Sequence, residues 1–202
     1  MQPVFRLVEH HRMRTVHHGA GHLVIAVRGQ AMHEQGVGLG MLSPVPAFVH
    51  SLTALSKILD KAEAFAEAKK IKPDVIPQLR LIADMLPLWR QVTIACDHAK
   101  GACARLSGNE VPSFDDTETT LAELNARIAK TIAFITTIPD AAFAEAETRT
   151  IMVKAGSREL TFAAPHYYGS YAIPNFYFHM TTAYAILRTN GVEVGKGDFI
   201  GG

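Results

Sequence analysis

A chain of 202 residues with 48% hydrophobic and 19% charged side chains carries enough apolar material for one substantial core, so one main domain is the default. Its 20 basic and 19 acidic side chains leave a formal charge of +1, which excludes the basic footprint that nucleic acid or an anionic membrane surface requires. No apolar run approaches the ~20 residues of a bilayer span and no secretory signal pattern opens the chain, so a soluble cytoplasmic protein is expected.

Residues 1–42 read as a flexible or poorly packed extension, and residues 43–202 as the folded domain. The extension is rich in histidine and arginine, has no clean period, and contains His10, His11, His17, His18 and His22. His18 and His22 are four apart and would share a helix face, a spacing that suits a transition metal. The simpler reading is an unpacked segment, with Met41 as an alternative start of the chain. Gly36, Gly38 and Gly40 lack the preceding strand and the spacing of a phosphate-binding loop.

From Pro46 the pattern turns helical. Phe48, Leu52, Leu55, Leu59, Ala62 and Ala66 alternate spacings of four and three, which predicts a first helix ending near Lys70, before Pro73. A second helical unit opens around Asp74 and Pro77, is interrupted or kinked at Pro87, and runs through Leu88, Val92, Ala95, Ala99, Cys103 and Leu106 to Gly108, as the longest helical unit of the chain. Cys96 and Cys103 lie two turns apart on its apolar side, about 10 Å along the axis and beyond disulfide reach, so both read as small buried hydrophobes in a reducing compartment. Asp115 and Asp116 stand where an N-cap belongs, ahead of a third stripe of Leu121, Leu124, Ile128, Ile132 and Ile135 that Pro139 follows.

Thr148–Val153 and Glu159–Ala163 alternate in the two-residue rhythm of strands around a turn with Gly156 and Ser157, which predicts a β-hairpin with Ile151 and Val153 on one apolar face and Leu160 and Phe162 on the other strand's. The last helix is expected to start at Pro174, whose missing N–H costs nothing in a first turn, and to stop at Asn190-Gly191. Phe176, Met180, Ala183, Tyr184 and Leu187 form its stripe. His179 lies at the stripe's edge, with Asn175 four residues before it and Thr182 three after. Four amphipathic helices can hide their stripes only against one another, so the fold class is all-α: a four-helix bundle with a small β-hairpin inserted before the last helix.

Four segments carry a family resemblance: Ser51-Leu52-Thr53-Ala54-Leu55-Ser56, Gln91-Val92-Thr93-Ile94-Ala95-Cys96-Asp97, Pro174-Asn175-Phe176-Tyr177-Phe178-His179 and Gly195-Lys196-Gly197-Asp198-Phe199. Together they resemble the bacterial domain-of-unknown-function family numbered nineteen ninety-three, from about Val45 to Ile200. The resemblance implies the DinB/YfiT-like superfamily of four-helix bundles, often homodimers, many of which hold a divalent metal on three histidines. Some relatives transfer low-molecular-weight thiols or act as hydrolases or isomerases.

In that superfamily the last helix carries His-x-x-x-His ahead of an arginine and a glycine. Arg188 and Gly191 set the register, which assigns the second histidine to His179 and the first to Asn175, a carboxamide. For the histidine of the second helix the chain offers Gln91 and His98, seven residues apart on one edge of the stripe, without a clean match. Asn is a weak donor to a borderline metal, and a catalytic zinc takes three protein ligands. No metal is therefore required. A zinc or nickel ion, if one binds, would rest on His179 and His98, with Asp97 as a carboxylate third, although Asp97 points away from the apolar face on a helical wheel.

Three readings follow. The preferred one is a DinB-like bundle with a small-molecule cleft around His179, walled by Asn175, Gln91, His98, Asp97 and Thr182, with a degenerate metal triad. The second is a divalent-metal-dependent hydrolase or thiol transferase, and the third a non-catalytic interaction or stress-related protein. For His179 the bland alternative is a bridge between helices, one nitrogen donating to a carbonyl and the other accepting from a side chain such as Gln91. Asp97 would then pair with Lys100 or Arg90 at the surface.

Overall fold

In the computed structural model, which describes residues 43–202, the Phe48 stripe forms α1, Val45–Lys69, with Pro46 in its first turn. Lys70 ends it in the left-handed conformation at φ 56°, its N–H returning to the last turn. The readings of the histidine cluster, the glycine run and the start at Met41 fall outside the described residues.

Of the two alternatives at Pro87 the structure takes the interruption, and the helix is already broken well before it. α2, Val75–Gln78, is a single turn held by buried Ile76 and Pro77, and α3 starts anew at Leu88 and runs to Ser107. Between them residues 79–87 cross in non-helical conformation, with Leu88 N–H donating to the Leu79 carbonyl at 2.8 Å. Proline explains the break: it disfavours helical backbone at the residue before it, and Pro87 itself is extended. α1, with 25 residues, is consequently longer than α3, with 20.

α4, Leu121–Thr136, is capped by Thr120 and not by Asp115 or Asp116. Thr120 Oγ1 accepts from Glu123 N–H at 3.3 Å, while Glu123 accepts from Thr120 N–H at 3.0 Å. This reciprocal pair satisfies two of the helix's free N–H groups. The aspartates are engaged elsewhere: Asp116 pairs with Arg90 and Arg127, and the Asp115 carbonyl accepts from Arg127.

β1, Thr150–Ala155, and β2, Arg158–Ala163, pair antiparallel around Gly156-Ser157, with Ile151 opposite Phe162 and Val153 opposite Leu160. Ile151 and Val153 are buried. Gly156 turns the chain at φ +62°, where a side chain would be strained.

The last helix does not begin at Pro174. Helical backbone starts at α5, Ala164–Tyr167, passes through a π-helical turn, Tyr168–Ala172, and continues as α6, Ile173–Thr189. Pro174 is therefore inside a long helical path, where it lacks the N–H that would bond back one turn. The wider π turn immediately upstream accommodates that loss. α7, Lys196–Ile200, returns to α1 through a Lys61–Asp198 ion pair and a His50 Nε2 bond to the Ile200 carbonyl at 2.7 Å.

α3 packs against both α4 and α6, and α1 closes the bundle against α4, α6 and α7. Ala95, Cys96, Ala99, Ala102 and Cys103 on α3 are fully buried, and these small side chains let both neighbours approach closely. Phe48, Leu55, Val92, Leu106, Leu124 and Phe176 fill the space between. The result is the expected helical bundle with a hairpin before its last helices.

Candidate functional site

Gln91 and His98 are two turns apart on α3, and Asn175 and His179 one turn apart on α6, so each pair lies along one side of its helix. The α3–α6 contact brings the pairs together. His98 and His179 have ring centroids 6.0 Å apart and planes 14° from parallel. Gln91 is buried with 1% exposure, its Nε2 donating to the Leu86 carbonyl at 3.0 Å and its Oε1 2.7 Å from His179 Nδ1. The Phe178 ring stands edge-on to His179, and Tyr171 edge-on to His98.

Asn175 Nδ2 donates to the Tyr171 carbonyl at 2.7 Å. Thr182 is buried and its hydroxyl donates to the Phe178 carbonyl at 2.7 Å, so it is satisfied within its own helix. Asp97 does not join the histidines. It lies on the α4 side of α3, accepting from Arg127 at 3.0 Å and Lys100 at 2.9 Å. Of its two expected partners Lys100 is found, whereas Arg90 binds Asp116 instead.

Burial keeps both imidazoles uncharged. It pushes His98 down to about 4, with His179 beside it adding to the effect against the attraction of Asp97. His179 is lowered too, first by burial and then by the positive charge of Arg90. At neutral pH the pair is therefore two neutral imidazoles, able to accept or donate hydrogen bonds and to take up a proton only from a group that loses one. Cys96 and Cys103 are free, and burial pushes both thiols up to about 12, which suits core packing and not nucleophilic chemistry.

An open apolar groove of about 430 Å³ lies between Leu81 of the 79–87 connection and Tyr177, Phe178, Thr181, Thr182 and Ala185 of α6; of the residues expected to wall a cleft it takes only Thr182, and His179 does not line it. The metal donor set is short. Among the described residues no three His, Cys, Asp or Glu side chains stand together, and Asn175 has its amide nitrogen committed to the Tyr171 carbonyl. These residues do not fit a three-ligand catalytic zinc.

Sequence reasoning missed Tyr171, the Leu86 carbonyl and the influence of Arg90. Tyr171 had a signal: it is four residues before Asn175 and eight before His179, hence on the same helix side, but a helix begun at Pro174 hides it.

The model of a family described as a domain of unknown function, DUF1993, matches residues 43–200. The chain belongs to the DUF1993 family. The crystal structure of a DinB family member protein from Shewanella denitrificans is similar at 48% identity, over 78% of this chain and 89% of that one, with a TM-score of 0.71. No curated protein matched the chain. The DUF1993 match covers all four bundle helices and every residue of the His98–His179 site.

Proposed function

We propose that this DUF1993 chain is a cytoplasmic small-molecule-binding bundle whose functional centre is the α3–α6 seam, where His179 accepts a hydrogen bond or a proton from the bound molecule. The observation that carries this reading is the pairing of two neutral imidazoles, His98 and His179, from different helices at 6.0 Å. Isolated core histidines need no such pairing, and His179 is only half-buried, so its ring is within reach of a bound molecule. A homodimer belongs to the same proposal, supported by the exposure of Phe178 (56%) and Tyr177 on the apolar groove. No helix among the described residues is long and apolar enough to cross a membrane.

A divalent-metal hydrolase or thiol transferase has less support, because Asn175 replaces a histidine and Asp97 is held by Arg127. A thermal-shift screen of small molecules against the full chain and its His179→Ala variant tests the proposal. Compounds that raise Tm of the wild type and not of the variant are expected. Hits indifferent to the substitution would overturn the site, and one zinc or nickel ion per chain, lost in the variant, would move the reading to a metalloenzyme.

A further inference from the structure

Gln91 Oε1 stands 2.7 Å from His179 Nδ1, but an oxygen–nitrogen distance does not itself say which atom carries the proton. The far end of the chain of contacts does. Gln91 Nε2 lies 3.0 Å from the carbonyl of Leu86, and a backbone carbonyl can only accept. The amide must therefore turn its NH2 toward Leu86. Flipping it would set carbonyl against carbonyl and leave a buried NH2 facing the ring, at a side chain with 1% exposure. With its orientation decided, Gln91 presents an acceptor to His179, and only a protonated Nδ1 can meet it. A neutral imidazole has one N–H, so Nε2 keeps the lone pair.

The Leu86 carbonyl is available for a local reason. Pro87 ends the connection and begins α3 without helical backbone before it, so Leu86 has no helical N–H to serve. The connection is tied at its other end by Leu88 N–H on the Leu79 carbonyl, and Gln91's own N–H bonds to the Pro87 carbonyl at 3.1 Å. Both ends of the Gln91 side chain are thus set by backbone.

We infer that Gln91 is a positioning residue that holds His179 in the Nδ1–H form and so presents a bare Nε2 to the ligand. The inference rests on the reading of His179 as the functional centre. It reverses the direction expected from sequence, in which a side chain such as Gln91 donates to the imidazole. It also narrows the ligand: the atom meeting Nε2 must be a hydrogen-bond donor (a hydroxyl, thiol or protonated nitrogen) or a metal ion, and not a carboxylate or phosphate oxygen.

Long-range proton–nitrogen NMR of the ligand-free full chain, with histidine nitrogens labelled and the signal assigned through His179→Asn, reads the tautomer directly. The expected wild-type spectrum has His179 Nδ1 as the N–H nitrogen and Nε2 as the unprotonated one. Gln91→Met, of similar size but without an acceptor, should release His179 to the Nε2–H form that unconstrained histidine favours. A wild-type His179 carrying its proton on Nε2, or a tautomer unchanged in a folded Gln91→Met protein, overturns the inference. Should Gln91→Met not fold, the wild-type spectrum alone decides. Because no ligand is used, a failed compound screen would count against the proposed function and leave this result standing.

Discussion

At His98 burial has a consequence that falls in an accessible pH range. In the unfolded chain this residue takes a proton near pH 6.5, and in the folded chain only near pH 4, so between those values the unfolded state binds more protons. Stability is therefore whole above pH 6.5 and falls as pH drops toward 4, by on the order of 3 kcal/mol across the window. The half-buried His179 pulls the same way. Urea unfolding at pH 7 and pH 4.5 checks the claim: the wild type should lose about 2 to 3 kcal/mol more between them than His98→Gln. Equal losses in the two proteins would mean that His98 is not protected from protonation. Asp97 teaches a complementary lesson at the same scale. Its place on the helical wheel, away from the apolar face, was readable, and the buried Arg127 that captures it was not, because a charged residue inside a stripe looks like an exposed one until its partners are known.

At the scale of the element, helix boundaries follow from how the first N–H groups are satisfied. Thr120 and Glu123 do this for α4, and Thr120→Ala should cost about 1 kcal/mol. In thermal denaturation that is a fall in Tm of about 2 to 4 °C, and the same fall is not expected for Asp115→Ala, which lies outside the cap. The stripes of all four bundle helices and the alternating faces of the hairpin were legible, since periods of 3.6 and 2 are properties of neighbouring residues alone, whereas the first strand runs Thr150–Ala155 and not from Thr148, which belongs to a short 3-10 turn. The outcome at two prolines was not legible. Pro87 marked an interruption or a kink without saying which, and the structure separates α2 from α3; Pro174 sits inside a helix relieved by the π turn at Tyr168–Ala172. Proline shows that a helical bond is lost, and the packing on either side decides whether the helix stops, bends or widens.

For the molecule as a whole, the groove of Leu81, Tyr177, Phe178 and Ala185 bears on assembly. A contact between two copies across this groove would bury Phe178, and the proposed homodimer then predicts that light scattering gives twice the chain mass for the wild type. Phe178→Glu should give monomers with little change in Tm, because the residue is exposed within one chain. A wild-type monomer at tens of micromolar would refute the dimer.

The sequence by itself determined the helix faces, the hairpin, the buried cysteines and the family, because these depend on local period, turn residues and short motifs. It also singled out Gln91, His98, Asn175 and His179 as residues on one edge of two helices. Only the tertiary structure decided that those edges meet. The small residues along α3 admit α4 on one side and α6 on the other, and that choice of neighbours puts His98 beside His179, turns Asp97 toward Arg127, and links the imidazole through Gln91 to a backbone carbonyl. A period shows which face of a helix is buried; which partner buries it is a property of the whole packing.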